Sequence, residues 1–184
     1  MQLKFKKMIY ENKNKNKIII LVSILLVVTV LFIFSRDNEY KFNALAENLI
    51  VSLYNVSYSD GEELFGRTNT EEEWIELDEY LRDRYADLMT VNCYHRLATN
   101  KMLDSTHFVA YQKNADFKTG SINFKEKQEK YGEQYHVYSL DLVQYHADSK
   151  EIINKWIIEA YISYSDENGE LKIKDLEIEM YVLK

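Results

Sequence analysis

Residues 18–34 read IIILVSILLVVTVLFIF, seventeen positions without a charge. A helix that is apolar all round has no polar face to turn to water, so it belongs in a lipid bilayer or deep in a core. Seventeen residues is the lower edge of the ~17–25 that span a bilayer. At ~1.5 Å per residue the run covers roughly 25 Å and needs little tilt. Lys17 and Arg36 flank it and can reach the two interfaces. The residues before it carry six lysines against Glu11, about +5, and so belong on the cytoplasmic side. A cleaved signal peptide fits less well, because the apolar run is long and no small-x-small site follows Phe34. A buried core helix fits less well again, for want of a polar face. The chain is thus expected to comprise a basic cytoplasmic tail (1–17), a single membrane-spanning helix (18–34) that makes the bilayer its first partner, and an extracytoplasmic domain (35–184).

The overall formal charge is −7, so with +5 in the tail the remainder carries −12. Phosphate affinity comes from clustered Lys and Arg, which excludes nucleic acid as an expected partner. The roughly 150 residues after the anchor suffice for one domain with its own core. Cys93 is the sole cysteine, so no intrachain disulfide can brace it.

The element order is helices first, then strands. Residues 38–57 place Phe42, Leu45, Ala46, Leu49, Ile50, Leu53 and Tyr54 at helical spacing. Residues 58–70, with Ser59, Asp60, Gly61 and Gly66, read as a loop. Thr70 and Glu73 form a capping box ahead of a second helix whose apolar face is Trp74, Leu77, Leu81, Tyr85 and Leu88. Thr90 interrupts it, and a short helix through Cys93, Tyr94 and Leu97 ends near Asn100. Everything after Ser105 reads as strand: 107–113, 117–124, 135–146, 151–164 and 171–183. Apolar residues on both faces of 151–164 mark a central strand. Asn168-Gly169 marks a tight hairpin. In the last strand Leu171 and Ile173 are odd while Leu176, Ile178, Met180 and Val182 are even. A one-residue bulge near Lys174-Asp175 returns both sets to one face. The fold class is α+β: helices packed on a curved antiparallel sheet.

This order, the bulged final strand GELKIKDLEIEMYVL and the helical segment EYLRDRYADLMTVNCYHRLATN resemble the NTF2-like (cystatin-like α+β cone) superfamily. Behind a single N-terminal anchor, such a domain also resembles the VirB8-like components of conjugation and type IV secretion machines. The resemblance implies a non-enzymatic assembly module with other membrane-complex proteins, or itself, as partners. The same superfamily holds isomerases and dehydratases that use an Asp or a His–Asp pair inside the cone, so fold does not decide function.

For such chemistry His95 and His107 are the acid–base candidates, with Asp104 and Asp141 as possible partners, and structural roles are the plainer reading of each. His136 and His146 lie ten residues apart, roughly 33 Å along a straight strand, too far to share a metal. No HExxH or CxxC pattern occurs, so no metal or cofactor is expected. Cys93 and His95 point to different sides of a helix, and Cys93 reads as a small buried hydrophobe. Trp74, Tyr85, Tyr94, Tyr111, Tyr138, Trp156 and Tyr161 are the candidate pocket or interface residues, and Tyr161, Ser163 and Tyr181 are expected on one exposed sheet face suited to protein contacts. A pocket would favour a tethered small-ligand-binding envelope or sensor domain as the second reading.

Overall fold

The computed structural model describes residues 25, 27–29, 39–66 and 70–182, with backbone alone at 72 and 73. The basic tail and the expected membrane helix lie outside the described residues, apart from Leu25 and residues 27–29, which are helical. Among the described residues no helix is long and apolar enough to cross a membrane. The chain divides into two compact units, Met1–Lys41 and Phe42–Lys184.

In the second unit the helical residues 42–54 (α1) bury Ala46, Leu49, Ile50 and Leu53, the i, i+3, i+4, i+7 stripe of the sequence. Then come α2 (Tyr58–Phe65), α3 (Glu71–Tyr85), a 3-10 turn (Ala86–Leu88), α4 (Val91–Thr99) and α5 (Ser105–Lys113). Thr90 does interrupt the helical run: its side chain accepts the Cys93 N–H at 3.3 Å and caps α4.

Two segments differ from the sequence reading. Residues 58–65, expected as loop, form α2. Ser57 accepts the Asp60 N–H at 3.2 Å and Asp60 accepts the Ser57 N–H at 2.8 Å, a capping box between the expected end of the first helix and a residue that read as a turn. Gly61 is there for packing. A Cβ on it would lie 2.5 Å from the His107 carbonyl oxygen and 2.9 Å from the Tyr111 nitrogen, so glycine lets α2 lie against α5. Residues 107–113, expected as a strand, are the body of α5. Its sequence STHFVAYQK is rich in β-formers, but His107 and Ala110 bury together at helical spacing, and Asn114 ends the helix in the left-handed conformation (φ 47°, ψ 56°). Tertiary packing overrides local propensity here.

The sheet is an antiparallel meander in the order β1-β2-β3-β4: β1 (Ala115–Lys130), β2 (Glu133–His146), β3 (Ile152–Glu167) and β4 (Glu170–Val182). The β3–β4 turn is Asn168-Gly169 with φ of 58° and 87°; Tyr131-Gly132, at 56° and 77°, makes the β1–β2 turn in the same way. The bulge in β4 is at Lys174: Ser163 pairs with Asp175 and Tyr164 with Ile173, leaving Lys174 without an opposite residue. Ile173 and Leu176 both bury as a result. With Tyr138, Leu140, Leu142, Ile158, Ala160 and Ile162 they form the helix-facing side of the core.

Candidate functional site

Between α5 and the sheet lies a groove of about 560 Å³. Ser105, Thr106, Val109 and Lys113 line it from one side of α5, and Tyr54 closes the end of α1 against it. The sheet supplies Phe117 from β1, Leu142 and Gln144 from β2, Trp156 from β3 and Met180 from β4. The Phe117 and Trp156 rings stack at 6.1 Å and form the floor. The ladder slips between the pairs Gln144–Asn154 and Tyr145–Ile152, so Ile153 has no opposite residue and lines the groove.

Polar groups are few. Asn154 donates to the Gln144 side-chain oxygen at 2.8 Å, which ties the two amides together. Lys113 sits at the rim. Burial pushes the Tyr54 phenol up to about 12, so it is neutral. The rim is apolar and open: Ile153 is 44% exposed, Met180 49% and Val109 38%. Exposed apolar side chains grouped around a concavity mark a binding surface more than a filled core.

The groove lies far from where the chain enters the unit. Phe42 packs on His136 and Tyr164, each at 4.7 Å between ring centroids. From His136 to Gln144 is eight residues along β2, roughly 26 Å. A second hollow of about 350 Å³ flanks the other side of α5, with Phe65, Trp74, Phe108, Tyr111, Lys101 and Asp104 around it. Burial raises the Asp104 carboxyl above the ordinary range.

The seven aromatic candidates do not converge. Trp156 lines the groove, and Trp74 (51% exposed) and Tyr111 line the second hollow. Tyr85 is wholly buried and donates to the Ser52 carbonyl at 2.8 Å. Tyr94 is buried in α4, and Tyr138 is in the core, its hydroxyl 3.1 Å from that of Tyr164 and donating to Asn43 at 3.0 Å. Tyr161 and Tyr181 lie on the far sheet face, but Ser163, expected to be exposed with them, is buried on that face.

The acid–base candidates are also dispersed. His107 is buried in α5, with Nε2 3.5 Å from the Tyr80 hydroxyl, and burial lowers its pKa to about 4. His95 stacks edge-on to Tyr94, and Asp141 is exposed on the far sheet face. Cys93 is buried, and burial pushes its thiol up to about 11. Among the described residues no three His, Cys, Asp or Glu side chains are grouped so as to hold a metal. Sequence reasoning missed Val109, Ile153 and Met180. The parity of Met180 with Leu176 and Ile178 placed it on the helix-facing side, but nothing in the sequence showed that this corner would be left uncovered.

No family model matches the chain, and no curated protein matches it. A solved structure of a periplasmic fragment of TraM is similar over 76% of this chain and 96% of that one, at 11% identity and a TM-score of 0.38.

Proposed function

We propose that the protein is a membrane-anchored, non-enzymatic assembly module whose extracytoplasmic domain holds an apolar segment of a partner protein in the groove beside α5. The groove with its exposed apolar rim carries this reading: Val109, Ile153 and Met180 gain by leaving water together, and a partner side chain of Leu or Phe size can be seated between them. The uncharged run at 18–34 supports the anchor and the lysines before it the orientation. The NTF2-like reading of residues 35–184 belongs to the same proposal, supported by the helices-then-meander order and the bulged last strand. The sequence resemblance to VirB8-like components makes a conjugation or secretion complex the proposed setting.

The test is in-cell cross-linking of the full chain in its own host, comparing wild type with Val109→Glu and Ile153→Glu. Recovery of the cross-linked partner should fall at least tenfold in both variants with the melting temperature little changed. Undiminished cross-linking in both would sink the groove as the docking site. A tethered small-ligand domain is the second reading, favoured by the groove's volume and by Lys113 at its rim. It predicts instead that dodecanoate raises the melting temperature of wild type and not of Ile153→Glu.

A further inference from the structure

β4 is the outer strand of the sheet, and its two halves are treated differently. The first half is covered from within the chain. Met89 bridges to Ile173 in parallel, the Thr90 N–H donates to the Ile173 carbonyl at 2.9 Å, and Arg96 donates to the Leu176 carbonyl at 3.2 Å. Beyond Leu176 no described residue pairs with the outer edge. Backbone groups alternate between the two edges of a strand, so Ile178, Met180 and Val182 turn theirs outward as Leu176 does. Residues 177–182 present roughly 20 Å of unpaired edge, and positions 179–182 are exposed.

Edges are ordinarily guarded by charged side chains, lysine above all, by proline or by a bulge. The bulge at Lys174 is upstream, and residues 177–182, EIEMYV, contain no proline, lysine or bulge; their guards are Glu177 and Glu179, which repel an acidic or identical strand and admit a basic one. The segment carries glutamates on one face and apolar residues on the other. The cations that meet acids on that face come from across the sheet: Lys130 of β1 pairs with Glu177, and Lys125 of β1 bonds Glu159 at 3.3 Å. Glu179 accepts the Tyr181 hydroxyl at 2.5 Å. Lys130 thus meets Glu177 and lies near Glu179 from within the sheet, so a further cation can reach these acids only from the outer side of β4. Ile178, Met180 and Val182 lie on the opposite, helix-facing side, where Met180 forms the wall of the groove.

We infer that the outer edge of β4 at residues 177–182 takes an added strand from a partner protein, an extended segment in which lysine or arginine alternates with apolar residues. Its cations meet Glu177 and Glu179 on one face. Its apolar residues follow Met180 and Val182 on the other and extend the groove wall, and its backbone completes the ladder. A second copy of this edge supplies no cation to the two acids: antiparallel self-pairing centred on Ile178 sets Glu177 against Glu179, centred on Glu179 it sets that residue against itself, and centred on Met180 it sets Glu179 against Tyr181. The inference deepens the assembly reading by naming the chemistry of the partner.

The probe is a capped Lys-Val-Lys-Val-Lys-Val peptide added to the full chain in mild detergent. Hydrogen exchange is read over residues 177–182 and affinity by titration. The peptide should slow exchange in that segment. N-methylation of its alternate amides, or the order Lys-Lys-Lys-Val-Val-Val, should weaken binding at least tenfold, and Glu179→Lys roughly tenfold. Equal binding of all three peptides would reduce the effect to bulk charge and overturn the inference, as would unchanged exchange in the segment. Both readouts use wild type, so they stand even if Glu179→Lys does not fold. Cross-links lost in Ile153→Glu, with no slowing of exchange at 177–182 by the peptide on wild type, would overturn the edge and keep the groove, and the converse would do the opposite.

Discussion

Replacing His107 with leucine should alter how stability depends on pH more than it alters stability at neutral pH. The imidazole is 1% exposed, enclosed by α2 and α3 around α5. Burial is the main cause of its lowered pKa; the Arg84 charge adds to it and Asp60 opposes it. Above pH 6.5 the ring is neutral in folded and unfolded chains, and its titration contributes no pH dependence. Between 6.5 and about 4 the unfolded chain binds a proton that the folded chain refuses, so stability falls as pH falls. At ~1.4 kcal/mol per pH unit the loss is about 3 kcal/mol by pH 4. Leucine has similar volume and no proton to bind, and its cost at pH 7.5 should stay within about 1.5 kcal/mol, chiefly the Tyr80 contact. The assay is urea unfolding of wild type and His107→Leu from pH 7.5 to 4, followed by the fluorescence of Trp74 and Trp156, the chain's two tryptophans. Groups common to both proteins affect both curves alike, so the difference between the two curves is what counts. It should move by about 3 kcal/mol in favour of the variant as pH falls. Parallel curves would mean that His107 is protonated as readily when folded, and would refute the burial argument.

Gly61→Ala should cost about 2–3 kcal/mol, since the new methyl meets backbone of α5 that cannot yield without parting the two helices; urea midpoints of variant and wild type measure it. Cys93, 2% exposed and with its thiol pushed up to about 11, should alkylate with iodoacetamide at pH 8 only through opening of α4, so that unfolding in urea speeds labelling roughly a hundredfold or more.

The elements legible in the sequence are those whose signal is local or periodic. The parity switch across Lys174 fixed a bulge, because a strand that buries one face has a single way to bring Ile173 and Leu176 to the same side. Asn168-Gly169 fixed a turn, whereas Tyr131-Gly132 makes the same turn with a first residue that carries no such signal. The outer half of β1, FKEKQEK, has no apolar alternation, and its strand is imposed by pairing with β2 as far as Lys130. The capping box of α2 was present in Ser57 and Asp60 but masked by the glycine that follows. In α5 the composition pointed to a strand, and the deciding fact, Ala110 and His107 entering the core together, belongs to the assembled domain.

The candidate site was less legible for a different reason. Trp156 could be chosen for its chemistry, and so could Tyr85 and Tyr138, yet the latter two are packed and bonded inside the core. Aromatic identity does not say which side chain remains uncovered. Val109, Ile153 and Met180 matter because no element among the described residues covers them, and the edge at 177–182 matters because β4 is outermost and α4 reaches only as far as Leu176. Both features are set by where covering ends, which depends on strand order and on the length of a helix elsewhere in the chain. Charge is the part that the sequence does carry: EIEMYV has two acids and no base, and once the strand is known to be outermost, that pattern states which partner strand can lie beside it.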